Sequence, residues 1–147
     1  MMRYAFGALV VLVSAATAAE VGPCNELDRI SNLVGQTKSY SDGKIKIAHV
    51  DTDGEPVCCS SHLLVIIPAP DMGSQCFAVS QTAAKSDGSA RGFSNIEFSR
   101  IKSSYNAKRG LLLDVPYTLY NEGRKGRPGS TKVRVNLTGD GSVTIER

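Results

Sequence analysis

Beyond its first residues, this chain has no run that is both long and apolar enough to cross a bilayer, which takes roughly 20 residues as a helix. The sequence therefore predicts no transmembrane segment in the mature protein. No Cys-x-x-Cys pair occurs, so neither the usual dithiol redox motif nor a zinc finger or ribbon is written into it. No Gly-x-Ser-x-Gly turn presents a nucleophile. Histidine is scarce: any Ser/His/Asp arrangement has only His49 and His62 to draw on. There is no internal repeat, no interdomain linker, and no helix-turn-helix or RNA-recognition pattern, so nucleic acid is not an expected partner. Nor does the chain have the composition of a disordered tail, being 41% hydrophobic and 21% charged.

What is present begins with the three parts of a secretory signal. Met1, Met2 and Arg3 form a short basic start, Ala5 to Val13 an apolar run, and Ser14 to Ala19 a small-residue stretch of the kind signal peptidase accepts. Cleavage is expected after Ala18 or Ala19, and Pro23 directly before Cys24 does not fit a lipidation box. The division is thus a signal peptide over 1–19 and one exported domain over 20–147, periplasmic or secreted. Its length of about 128 residues suits one core but not two.

All four cysteines, Cys24, Cys58, Cys59 and Cys76, lie in the exported part. An even count in an oxidising compartment reads as two disulfides. Of three connectivities, Cys58 with Cys59 is disfavoured, because adjacent Cα atoms sit about 3.8 Å apart and disulfides usually take roughly 4.4 to 6.8 Å. One of the pair is then expected to reach Cys24 and the other Cys76, as opposite-facing neighbours in extended chain can.

Pro23 to Val34 carries Leu27, Ile30, Leu33 and Val34 at helical spacing, with Gly35 as a stop, and predicts one short amphipathic helix. From there on the period is that of strands. Lys44 to Asp51 alternates and ends at a predicted Asp53-Gly54 turn. Ser61 to Ile67 is continuously apolar, which suggests a central strand covered on both faces. Cys76 to Thr82 follows, then a polar, exposed stretch from Ala83 to Gly92. In Asn95 to Tyr105, Ile101 is out of phase with Ile96 and Phe98, so a bulge is expected near Ser99 or Arg100. Leu111 to Tyr120 alternates, and Pro116 suggests a locally free edge. After the loop Asn121 to Ser130, Val133, Val135 and Leu137 pair with Val143 and Ile145 through the turn Gly139-Asp140-Gly141. The predicted fold is mainly β: a small antiparallel sandwich or partly open barrel of about seven strands with one N-terminal helix, disulfide-linked.

Two local clusters invite chemistry. Cys58, Cys59, His62 and Cys76 offer soft ligands for copper(I) or zinc, but disulfides are the first expectation and no metal or cofactor is predicted. Ser60 and Ser61 with His49 or His62, and Asp51 or Asp53 as orienter, could form a nucleophilic site, yet nothing in their spacing marks one. His49 is expected to be a satisfied, partly buried side chain. Asp51 to Glu55 resembles a calcium loop only faintly, since the register puts His49 first and Ser60 twelfth. Asn136-Leu137-Thr138 is a glycosylation sequon set in a predicted strand.

Charge is polarised along the chain. Arg100 to Arg134 holds nine basic residues against Asp114 and Glu122, a balance of +7, while Glu20 to Ser99 holds six basic against ten acidic, or −4. Lys108, Arg109, Arg124, Lys125 and Arg127 are therefore candidates for one exposed face that meets an anionic envelope component or another exported protein. A non-enzymatic binding, inhibitory or accessory role is the expected function, ahead of a metal or thiol-redox protein and of a small enzyme.

Overall fold

Ten strands form among the described residues, most of them where the strand period runs. In this computed structural model, the described residues are 19–24, 34–52, 58–83 and 90–146. They form β1 (Glu20–Pro23), β2 (Val34–Tyr40), β3 (Ile45–Asp51), β4 (Ser61–Pro68), β5 (Ser74–Ser80), β6 (Asn95–Ile96), β7 (Lys102–Asn106), β8 (Gly110–Leu119), β9 (Arg127–Asn136) and β10 (Ser142–Glu146). Two antiparallel five-stranded sheets result. The first has the order β1-β5-β4-β3-β2; the second has β10-β9-β8-β6, with β7 following β6 along the same side of β8.

The sheets pack by their apolar faces into a sandwich. Ile45 and Ile47 of β3, Leu63, Val65 and Ile67 of β4, and Val79 of β5 meet Leu111, Leu113, Val115 and Tyr117 of β8, Val133 and Val135 of β9, and Val143 of β10 in one core cluster. Full burial of such a side chain contributes about 1.5–3 kcal/mol, so this layer carries most of the stability. The other face of the first sheet holds a smaller cluster of Cys24, Ala48, Val50, Leu64 and Ala78. Buried on both sides and central in its sheet, β4 has the two-faced apolar sequence that its run from Leu63 to Ile67 predicts. β8 shows one-sided alternation, with every second residue from Leu111 to Leu119 buried.

Three differences from the sequence expectation raise the count from about seven strands to ten. Pro23 and Val34, the ends of the predicted helix, belong to β1 and β2; residues 25–33 between them lie outside the described residues, as do 1–18. The segment Asn95 to Tyr105 is two strands, because Phe98–Arg100 forms a single 3-10 turn that buries Phe98 and resets the phase so that Ile101 is also buried. Pro116 falls at that interruption. The N–H and C=O of one strand residue point to the same side, and the Pro116 carbonyl accepts from Glu97 N–H at 3.0 Å, so the missing donor faces the gap between β6 and β7. β9 also begins earlier than expected, at Arg127.

The Gly139-Asp140-Gly141 turn joins β9 to β10 with positive φ at both glycines. Asp53-Gly54 lies outside the described residues. The stretch expected to be an exposed loop is not so at its C-terminal end: Gly92 is buried, because Arg91 to Phe93 runs against Cys59 to Ser61.

Candidate functional site

One end of the sandwich gathers the start of β4, the ends of β3 and β5, and the segment that leads to β6. One of two disulfides lies there, Cys58–Cys59; the other is further along β5. Cys24 pairs with Cys76, and Cys58 pairs with Cys59. All four cysteines are thus bridged, but with the connectivity that local geometry disfavours. The reason is tertiary: the β1–β5 register sets Pro23 against Phe77, which brings Cys24 opposite Cys76 with Cα atoms 5.5 Å apart. Cys58 and Cys59 are left to each other, at a Cα separation of 3.8 Å.

Above that bridge stands Arg91. Its Nε donates to Cys59 Sγ at 3.4 Å and its Nη2 to Cys58 Sγ at 3.9 Å. Arg91 is held from both sides of the backbone: its carbonyl accepts from Thr82 N–H at 3.0 Å and its N–H donates to Thr82 Oγ1 at 3.2 Å. Next to it, Gly92 N–H donates to the Cys59 carbonyl at 2.8 Å and Phe93 N–H to the Ser61 carbonyl at 2.7 Å. No signal in the sequence singled out Arg91, an arginine in a Ser/Asp/Gly-rich stretch.

Position 92 requires glycine. A Cβ there would stand 2.6 Å from the Ser61 carbonyl oxygen, 2.7 Å from that of Cys59 and 2.9 Å from His62 Nε2, and two of these are backbone atoms. Gly92→Ala is expected to destabilise the domain by about 1–3 kcal/mol, read as a lowered denaturant midpoint at unchanged slope. A midpoint equal to that of the parent would show that the segment is not packed this tightly.

The histidines lie on opposite faces of the first sheet. His49 Nε2 and Ser61 Oγ are 2.6 Å apart on the inner face, and the His49 ring stacks on Phe98. His62 Nδ1 and Ser80 Oγ are 2.8 Å apart on the outer face. Burial lowers the His49 pKa against the opposing charge of Asp51, and pushes that of His62 down to about 4. Asp51 does accept from Ser60 Oγ at 2.5 Å. The Ser61 hydroxyl belongs to a residue only 1% exposed, so the serine end of its pair with His49 is buried. His49 is the satisfied, half-buried side chain that its strand position suggests.

The soft-ligand cluster does not assemble. Cys76 is bridged to Cys24, and the β4–β5 register sets Cys76 against Ile66, four residues along β5 from Ser80 and so roughly 13 Å from the His62 level. Among the described residues, no three His, Cys, Asp or Glu side chains stand close enough to hold a metal ion. Of the faint calcium loop, residues 53–57 lie outside the described residues.

Nor do the five candidate basic residues share one face. Lys108 and Arg109 sit in the turn before Gly110, whereas Arg124, Lys125 and Arg127 follow Leu119. Leu111 and Leu119 are eight residues apart along β8, roughly 26 Å, so the two groups occupy opposite ends of the sandwich. Arg109 is also ion-paired with Glu146, which Arg134 holds at 2.8 Å. These contacts lower the Glu146 pKa, the Arg134 hydrogen bond foremost. Lys132 and Arg134 stand on the solvent side of β9 between inward Val133 and Val135. The sequence-level polarity therefore spreads over an end, a face and a second end.

The end opposite the disulfide Cys58–Cys59 carries a cleft that the sequence did not announce. Its volume is about 430 Å³, between the β2–β3 turn, the β7–β8 turn and the end of β9. Ile45, Leu111 and Val135 floor it; Asp42, Lys44 and Tyr105 stand at its rim, with Tyr105 70% exposed. Gly110, at φ +82°, lets β8 start directly beside the Val135 carbonyl, where a Cβ would collide. A second hollow of about 320 Å³ adjoins it through Lys44 and Leu137 and reaches Pro68 and Pro70. Beside the second hollow, Gln75 Nε2 of β5 donates to the Asp140 carbonyl at 2.5 Å and so ties β5 to the β9–β10 turn. Neither protein families, nor curated proteins, nor solved structures give a match to this chain.

Proposed function

We propose that this chain is an exported, non-enzymatic binding protein that receives a segment of a partner in the double cleft at the turn end of its sandwich. The observation that carries this reading is the cleft itself: two adjoining hollows, each within the roughly 300–1,000 Å³ typical of ligand sites, with an apolar floor and a rim that bears one acid, one base and an exposed aromatic ring. A rim of both signs favours a chain segment of mixed character over a purely anionic polymer. Short turns on a rigid two-sheet frame give such a site low reorganisation cost. Export is supported by the leading basic, apolar and small-residue segments and by two disulfides. Ala19 is buried in the core, which favours cleavage after Ala18. No helix among the described residues is long and apolar enough to cross a membrane.

The test is capture from the native cell envelope, with three baits compared: the mature domain, Tyr105→Ala with Leu137→Asp, and Arg124→Ser with Lys125→Ser and Arg127→Ser. A partner lost with the cleft bait and kept with the loop bait is the expected result. The reverse pattern would move the contact to the basic loop and an anionic surface, and would overturn the cleft.

A further inference from the structure

We propose that Cys58–Cys59 is a thiol–disulfide exchange site that oxidises an exogenous dithiol, with Arg91 stabilising the thiolates that the exchange releases. Three observations converge on it, none of them used by the cleft at the other end. Exposure differs between the two residues in the sense an exchange requires: Cys58 is half-buried and is the one an incoming thiolate would attack, whereas Cys59, 1% exposed, would leave inward. One guanidinium donates to both sulfurs, at 3.4 Å and 3.9 Å. A cation in that position lowers a cysteine's pKa and makes its thiolate the better leaving group. And the surrounding backbone does not depend on the bridge, because the bonds from Gly92 to Cys59 and between Phe93 and Ser61 hold the segment whether or not the sulfurs are joined.

The two bridges differ in what opening them releases. Cys24–Cys76 spans a sequence separation of 52 residues and closes a large loop. Cys58–Cys59 spans a separation of one, so reducing it frees almost no chain and leaves the fold intact. It is the bridge that can open in the native state.

The exchange balances as two transfers at sulfur. One thiolate of the dithiol attacks Cys58 Sγ; a sulfur–sulfur bond forms between reductant and Cys58, the Cys58–Cys59 bond breaks, and its electron pair leaves on Cys59 Sγ beside Arg91 Nε–H. The second thiol of the reductant, deprotonated, then attacks the reductant's own sulfur in the mixed disulfide and expels Cys58 as thiolate beside Arg91 Nη2. The reductant ends as a disulfide; two electrons have passed to the cysteine pair, and the two protons that the dithiol gave up on forming its thiolates have gone to solvent.

Dithiothreitol at graded concentration, followed by alkylation and peptide mass analysis of the natively folded protein, tests this. The expected result is alkylation of Cys58 and Cys59 at concentrations where Cys24 and Cys76 stay joined, with the amide spectrum unchanged. Arg91→Gln should slow opening roughly three- to tenfold while Arg91→Lys keeps most of the rate, and in guanidinium the Arg91 variants should no longer differ. Simultaneous opening of both bridges, opening only on unfolding, or a native rate unaffected by Arg91→Gln in a variant that keeps its amide spectrum would each overturn the assignment.

Discussion

Replacing Cys24 and Cys76 together by alanine should lower the stability of the domain by about 4 kcal/mol, the loop-closure value for a bridge of this span, and its midpoint temperature by roughly 10–20 °C. The bridge joins the residue after β1 to β5, and it does so beside the smaller of the two apolar clusters, where Ala48, Val50, Leu64 and Ala78 offer little area of their own. Its contribution lies mainly in the unfolded chain, whose freedom a separation of 52 residues restricts strongly. The same substitution at Cys58 and Cys59 should cost only about 1 kcal/mol, since the ring it opens is minimal. Thermal unfolding of the two double variants beside the parent measures both. Equal losses, or the larger loss at Cys58 and Cys59, would refute the account of what each bridge does.

Where a strand buries apolar side chains, its sequence announces it. The run Leu63 to Ile67, the alternation Leu111 to Leu119 and the turn at Gly139 to Gly141 all fix burial and direction locally, and they lie where the pattern puts them. β2 carries no such signal. Gly35, Gln36, Thr37 and Ser39 are exposed, and the strand exists because its backbone pairs with β3 at the sheet edge. β1 is four residues long and is likewise defined by its partner, β5. The disulfide connectivity was hidden for the same reason, since it follows from the β1–β5 register and not from any property of the four cysteines. The phase slip at Ile101 was legible as a break, but its form, a 3-10 turn with Phe98 inward against His49, depends on the facing sheet. The cleft has no linear signature at all: residues 41–45, 105–111 and 135–138 meet only when two sheets are stacked.

Acid should weaken this fold between about pH 6.5 and pH 4 through His62. The side chain is 3% exposed, its Nδ1 pairs with Ser80 Oγ at 2.8 Å, and Nε2 faces the close approach of Gly92. Burial is the main reason that its pKa is pushed down to about 4; the charge of Asp51 opposes this, and that of His49 adds to it. Above pH 6.5 the imidazole is neutral in both the folded and the unfolded chain, and the group makes no pH-dependent difference. As pH falls below 6.5, the unfolded chain binds a proton that the folded one refuses, so stability declines until the folded imidazole also protonates near pH 4. A displacement from 6.5 to about 4 corresponds to a loss on the order of 3 kcal/mol over that window. His49, lowered in the same direction, adds to the decline. Denaturant unfolding at pH 7 and pH 4.5 should therefore show a smaller difference for His62→Gln than for the parent, by roughly 2–3 kcal/mol. That variant loses stability at pH 7, where it gives up the Ser80 contact, and regains ground in acid, where it has no proton to exclude. A His62→Gln protein as acid-sensitive as the parent, or a His62 resonance titrating at the ordinary histidine pKa, would place the proton-linked weakness in the carboxylates instead.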